Sequence, residues 1–135
     1  MSLENACWPD ECTAEGGAPV CNDVSRLNAT PMSLVVQPRC LTDVQDAVRL
    51  AASRGVRVVP RGTKHSMGGQ SLSPGGLALD MAFVNFVRYD PSSELVLCGA
   101  GATWADVILA LNPHGKAPRT LQSYCSFSVW AAQFP

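Results

Sequence analysis

SLVVQPRCLTDVQDAVRLAASRGVRVVPR, residues 33–61, is the stretch that decides the fold class. Leu34-Val35-Val36 is a short apolar run stopped by Pro38, the pattern of a buried strand. Thr42-Asp43-Val44-Gln45 has the form of a capping box, with Thr42 at the N-cap and Gln45 reaching back. Val44, Ala47, Val48 and Ala51 then fall on one helical face. Gly55 supplies the left-handed residue that ends the helix. Val56-Arg57-Val58-Val59 follows as a second, β-branched strand. Strand, helix and strand in so short a span make a βαβ unit, whose two strands lie parallel. Open sheets built from such units hold ligands at the carboxyl ends of their strands. A site is therefore expected just after Val59.

Downstream, Ser73-Pro74-Gly75-Gly76 is a turn, Pro presetting φ and Gly accepting the positive φ that follows. Leu77, Leu79 and Met81 alternate with Ala78 and Asp80 as a strand, with Asp80 a structural hydrogen-bond partner at its end. Residues 86–89 and 94–98 flank Asp90-Pro91-Ser92-Ser93 as an antiparallel hairpin. A second helix follows Gly99-Ala100-Gly101, with Thr103 as cap, Asp106 at N3 and an apolar stripe of Trp104, Val107, Ile108 and Leu111. Asn112-Pro113-His114-Gly115 ends it, leaving His114 in a solvent-facing turn. Upstream, residues 1–32 show no sustained period and read as an irregular cysteine-containing leader, ahead of a folded domain over residues 33–135. The expected class is α+β: a small parallel βαβ sheet joined to a second mixed sheet, with helices outside.

A chain of 135 residues fits one domain. With 47% apolar and 16% charged residues it is globular rather than disordered. A net charge of −1 gives no basic excess to draw it to nucleic acid or anionic lipid. No apolar run is long enough to span a membrane. Without a basic n-region and apolar h-region near its start, the chain is expected to be cytoplasmic. The 6 cysteines leave two readings open. Free thiols suit a reducing compartment; a disulfide within Cys7, Cys12 and Cys21 would need an oxidising one. Their spacing matches no common zinc pattern and no histidine lies nearby, so no metal is expected. The sequon Asn28-Ala29-Thr30 has meaning only in a secreted chain.

The segment expected to carry chemistry is Arg61-Gly62-Thr63-Lys64-His65-Ser66-Met67-Gly68-Gly69-Gln70. Its glycines allow backbone to approach a ligand closely, and successive amides in such a turn form an anion-binding concavity. Ser66 adds a neutral donor; Arg61 and Lys64 add positive charge unless they face solvent. An ordinary glycine-rich surface turn has the same composition, and both readings stay open on the residues alone. Two familiar phosphate loops are excluded. A Walker A motif needs Gly-Lys-Ser/Thr, and here Thr63 separates Gly62 from Lys64. A dinucleotide fingerprint at Gly99-Ala100-Gly101 would place Trp104 where a third glycine must allow close helix–strand packing.

The order of these pieces resembles the FAD-binding (PCMH-type) domain of the vanillyl-alcohol oxidase superfamily, which includes sugar-lactone oxidases, alditol oxidases and cytokinin dehydrogenases. The likeness runs from about Asn22 to Val129. It is carried by Val36-Gln37-Pro38, the helix over residues 42–54, the Arg61–Gln70 loop, Leu79-Asp80-Met81 and Gly99-Ala100-Gly101-Ala102-Thr103-Trp104. The Gly62-Thr63-Lys64-His65-Ser66 core looks most like the sugar- and alditol-oxidase branch. The resemblance implies that FAD is the cofactor and that the loop wraps its pyrophosphate. By matching residue the contacts fall on Arg61, Gly62, Thr63, Lys64, His65, Ser66, Gly69 and Gln70. It also implies that His65 stands where many members join a histidine covalently to the flavin, and that Cys125 lies near a second linkage point of berberine-bridge-type oxidases. On the residues alone Cys125 reads as a buried thiol. The implied activity is oxidation of an alcohol or lactone-type carbon by hydride transfer to flavin.

Family members continue with a Val-Gly-Gly stretch where this chain has Val129-Trp130-Ala131. The expectation drawn from that departure is a domain incomplete at its C-terminus, with no catalytic residue of its own and an apolar tail of Phe127, Val129, Trp130 and Phe134 lacking partners. The alternative function is a non-catalytic flavin- or nucleotide-binding fragment.

Overall fold

The computed structural model describes residues 18–129. In chain order its elements are β1 (Val20–Cys21), β2 (Thr30–Pro31), β3 (Leu34–Val36), α1 (Leu41–Arg54), β4 (Val58–Arg61), β5 (Leu77–Asp80), β6 (Val87–Asp90), β7 (Leu95–Cys98) and α2 (Trp104–Leu111). β3, β5 and β4 form a parallel sheet in that order, and β1–β2 and β6–β7 are antiparallel pairs. The α+β class is as expected. The second sheet is, among the described residues, the two-stranded β6–β7 hairpin.

α1 begins two residues earlier than its sequence suggests. Cys40, not Thr42, is the N-cap. The residue that closes the end is Asp43, whose carboxylate accepts from the Arg39 amide at 2.8 Å and the Cys40 amide at 3.3 Å. A charged acceptor near the positive end of a helix is favourable, and Asp43 at N3 reaches back to these two amides and so fixes the cap at Cys40. Gly55 ends the helix in the left-handed conformation, φ 64. The buried face is Ala47 and Ala51, with Val44 and Leu50 beside them, while Val48 is exposed.

The βαβ unit is split. β3 and β4 are parallel but do not touch; β5 lies between them, with Leu77 level with both Leu34 and Val58. The alternation along β5 does mark two faces, yet all four of its residues are buried. Leu77 and Leu79 pack with Val36 under Ala47 and Ala51 of α1. Ala78 and Val35 face the other way, onto Cys21 and Met32. Residues 18–32, read from the sequence as irregular, thus cover the second face of the sheet through the β1–β2 pair. Their polarity hides this role, because two-residue strands show no period.

β6 and β7 pair around residues 91–94 as expected, from Val87↔Cys98 to Asp90↔Leu95. Thr103 caps α2, accepting from the Asp106 amide at 3.3 Å while Asp106 accepts from the Thr103 amide at 2.8 Å. Val107 and Leu111 are its buried residues. Gly99 and Gly101 lie against the backbone carbonyls of Val84 and Met81, where a Cβ would overlap them. His114 is exposed, its ring 4.8 Å from that of Tyr89.

Candidate functional site

The parallel sheet delivers residues 62–76 from the end of β4 to the start of β5, and the glycine-rich segment lies at the start of that connection. With residues 122–128 it encloses a pocket of about 590 Å³, within the range of small-molecule and cofactor sites. Gly62, Thr63, Lys64, His65, Ser66 and Gln70 line it, together with Ser71, Gln122, Phe127 and Ser128. No carboxylate is among the described lining residues.

Most of the loop's polar side chains are held by specific contacts. The Ser128 amide donates to Thr63 Oγ1 at 3.0 Å, and the same oxygen lies 2.9 Å from His65 Nδ1. That pairing and the Phe127 ring, its centroid 4.0 Å away, fix the His65 imidazole. Lys64 adopts φ 62, unusual for a residue with a side chain, and its Nζ lies 3.4 Å from Asp80 Oδ2. Asp80, buried at the end of β5, also accepts from the Ala82 amide at 3.2 Å and so is the structural partner expected of it. Ser66 Oγ and Ser71 Oγ are 2.7 Å apart. Their contact uses one hydroxyl proton and leaves the other to donate. Gln70 folds back, its Oε1 accepting from the Gly68 amide at 3.0 Å.

Two of the expected contacts lie elsewhere. Arg61 and Gly69 do not line the pocket. Arg61 faces neither solvent nor pocket: it is buried, and its guanidinium donates to the Asn22 carbonyl. The Gly69 amide, at φ 74, donates to Asp23 Oδ2 at 2.9 Å. Asp23 also accepts from Asn28 Nδ2 at 2.9 Å and from the Ser25 amide at 3.1 Å. The Ser25 hydroxyl, with the Gly69 and Asn28 donors behind it, holds the Asp23 carboxyl below its ordinary range against the opposing effect of burial.

Gln122, Phe127 and Ser128 carry no local sequence signal, since only the fold brings them to the loop. Ser128 is buried and bridges to Thr103, while the Phe127 carbonyl accepts from the Trp104 amide at 3.1 Å. The Phe127 ring therefore has a partner, contrary to the apolar-tail expectation, and the Val129 amide donates to the Ala102 carbonyl at 2.8 Å; Trp130 and Phe134 lie outside the described residues. Cys125 is exposed rather than buried and does not line the pocket. Cys40 and Cys98 are likewise free thiols, and burial pushes the Cys98 thiol up; Cys7 and Cys12 lie outside the described residues. Among the described residues no cluster of metal-ligating side chains occurs, and no helix is long and apolar enough to cross a membrane.

The pocket suits a phosphate-bearing cofactor on its own chemistry. Its lining holds serine and threonine hydroxyls and Lys64, which is paired with Asp80, and no carboxylate stands among the described lining residues. Gln122 Oε1, buried with no partner among the described residues, is an acceptor a polar ligand would satisfy.

Comparison with known proteins agrees. The family model described as FAD binding domain matches residues 32–132, and the chain belongs to that family, the PCMH-type FAD-binding domain of the vanillyl-alcohol oxidase superfamily. An uncharacterized oxidoreductase, ORF5 of the fasciation locus of Rhodococcoides fascians, is 38% identical over 96 residues, 71% of this chain and 22% of the relative. Cytokinin dehydrogenase 7 of Oryza sativa subsp. japonica is 34% identical over 115 residues, 80% of this chain and 22% of the relative. In fold, the crystal structure of cholesterol oxidase from B. sterolicum matches with a TM-score of 0.70 at 21% identity, covering 84% of this chain and 22% of that one. The chain thus spans about 22% of the length of these relatives. FAD is the cofactor of the family, and its curated members here are oxidoreductases.

Proposed function

We propose that residues 61–70 hold the FAD pyrophosphate, and that the chain is the cofactor domain of an oxidoreductase acting on an alcohol or lactone-type carbon. The observation that carries this reading is the 590 Å³ pocket, lined by Gly62, Thr63, Lys64, His65, Ser66 and Gln70, with no carboxylate among the described lining residues. Lys64, the Thr63 hydroxyl and the Ser66–Ser71 pair would meet phosphate oxygens, helped by loop amides. Arg61 and Gly69 act from behind, holding the loop rather than the ligand. Val59, Pro60, Met67 and Phe127 supply apolar wall, and Gln122 would take a ligand donor. Bound flavin supplies two-electron acceptance; the protein's part is to hold and orient it. His65 is the proposed point of covalent attachment, its Nδ1 engaged by Thr63 and its Nε2 left as the nitrogen available for the bond.

A second reading, a module that binds flavin or nucleotide without turnover, is supported by the same lining, which offers no carboxylate to take a substrate proton. For the substrate, the similarity to a cytokinin dehydrogenase over 80% of the chain favours a cytokinin as the rival to an alcohol or lactone.

Intact-mass analysis and the visible spectrum of protein expressed with FAD test the reading. The expected result is a yellow protein carrying one FAD through denaturation, with His65→Ala retaining yellow colour but losing the mass gain. Colour without added mass would remove the covalent bond and keep FAD binding. A colourless protein of unmodified mass would sink the proposal. Anaerobic bleaching of the bound flavin by an alcohol, lactone or cytokinin separates an enzyme from a module.

A further inference from the structure

We propose that residues 22–28, which precede the matched family segment, are a working part of the flavin site, with Asp23 and Asn28 as positioning residues that set the shape of the glycine-rich loop. This rests on the pyrophosphate reading of residues 61–70. Four tethers run from the short segment to the loop. The Arg61 guanidinium donates to the Asn22 carbonyl, and the Val24 amide donates to the Lys64 carbonyl at 3.0 Å. Asn28 Nδ2 donates to the Met67 carbonyl at 3.0 Å, and the Gly69 amide donates to Asp23 at 2.9 Å. The tethers therefore fall at residues 61, 64, 67 and 69; Lys64 and Met67 line the pocket as well, beside the untethered Gly62, Thr63, His65 and Ser66.

Asn28 and Asp23 are joined as one unit, since Asn28 Nδ2 also donates to Asp23 Oδ2 at 2.9 Å. Asp23 is only 4% exposed. A buried carboxylate beneath an anion site is unfavourable unless donors already meet its charge. Here the donors come from Ser25, Asn28 and Gly69, so the charge is spent on the loop and its repulsion toward phosphate is muted. Two loop residues, Lys64 and Gly69, stand in the left-handed region, and both are tethered. Fixing those two before a ligand arrives is preorganisation, which raises affinity by sparing the ligand the cost of ordering the loop.

The test uses the full chain, ADP as the probe bearing the pyrophosphate half of FAD, and amide hydrogen exchange. Asp23→Asn keeps the side-chain volume and removes the charge; Asn28→Ala leaves Asp23 in place and cuts the Met67 tether. For each, ADP should bind about tenfold more weakly, the size expected for a lost charge-assisted hydrogen bond. Exchange of amides 64–69 should accelerate while amides of β3, β4 and β5 keep their protection. Parental ADP affinity and loop protection in both variants would overturn the inference and leave the function reading intact. Protection lost equally in the sheet and the loop would assign the segment to general stability and overturn the positioning role. A parent chain that binds neither ADP nor FAD would overturn the function reading, and this inference with it.

Discussion

Gly62 faces the pocket with no room for a side chain. A methyl group built on it overlaps Ser128 Oγ and lies 2.9 Å from Ser128 Cβ. Gly62→Ala should therefore destabilise the chain by about 1–3 kcal/mol, the cost of overpacking a closed contact. Urea denaturation measures it. Adding Ser128→Ala removes the hydroxyl that the new methyl strikes, so the double variant should recover part of the loss; strict additivity would show that Ser128 is not what Gly62 makes room for. Residues such as Gly62, Thr63, His65 and Ser66 were legible because they are neighbours in sequence and belong to one turn. Gln122, Phe127 and Ser128 were not, because nothing local distinguishes a serine that will close a pocket from one in solvent. Arg61 was misplaced for a related reason: its type fits a phosphate contact, but its buried position at the end of β4 turns it to the Asn22 carbonyl.

Among the elements, the β6–β7 hairpin offers a pH test. Asp90 precedes its turn, and donors from Ser93 first, then Ser92, lower its carboxyl to about 2 from 3.8. A folded-state value below the unfolded one means the carboxylate's contribution is fully present above about 3.8 and is lost as pH falls through about 2. Amide exchange in residues 87–90 and 95–98 should accelerate across that window, and Asp90→Ala should abolish the dependence. An unchanged profile in the variant would place the titration elsewhere. Helix and strand periods were readable in several elements, as in α1, β5 and α2. The start of α1 was not, since Thr42 and Gln45 offer one capping box while Cys40 and Asp43 form the one that is used, and a cysteine is an uncommon N-cap.

At the scale of the molecule, stability concentrates on β5. Leu77 is buried, packs beneath α1 and stands level with residues of both flanking strands. Leu77→Ala should cost about 2–5 kcal/mol in chemical denaturation, the range for a large-to-small change in a closed core. A loss below 1 kcal/mol would show that the sheet is not a single cooperative unit. That β3 and β4 run parallel followed from the helix between them; that a third strand separates them could not, because strand order is a non-local property. The role of residues 18–32 was hidden likewise, since Cys21 and Met32 acquire meaning only when Ala78 and Val35 need a cover.

The central place of β5 also orders events in time. A ribosome makes β3, α1, β4 and the glycine-rich loop before it makes Leu77–Asp80. Until then β3 and β4 are two unbridged edges that must stay about 10 Å apart, one strand's berth. The glycine-rich loop thus emerges after its tethers in residues 22–28 but before the middle strand, and the sheet it springs from closes only when Leu77–Asp80 has been threaded between its neighbours.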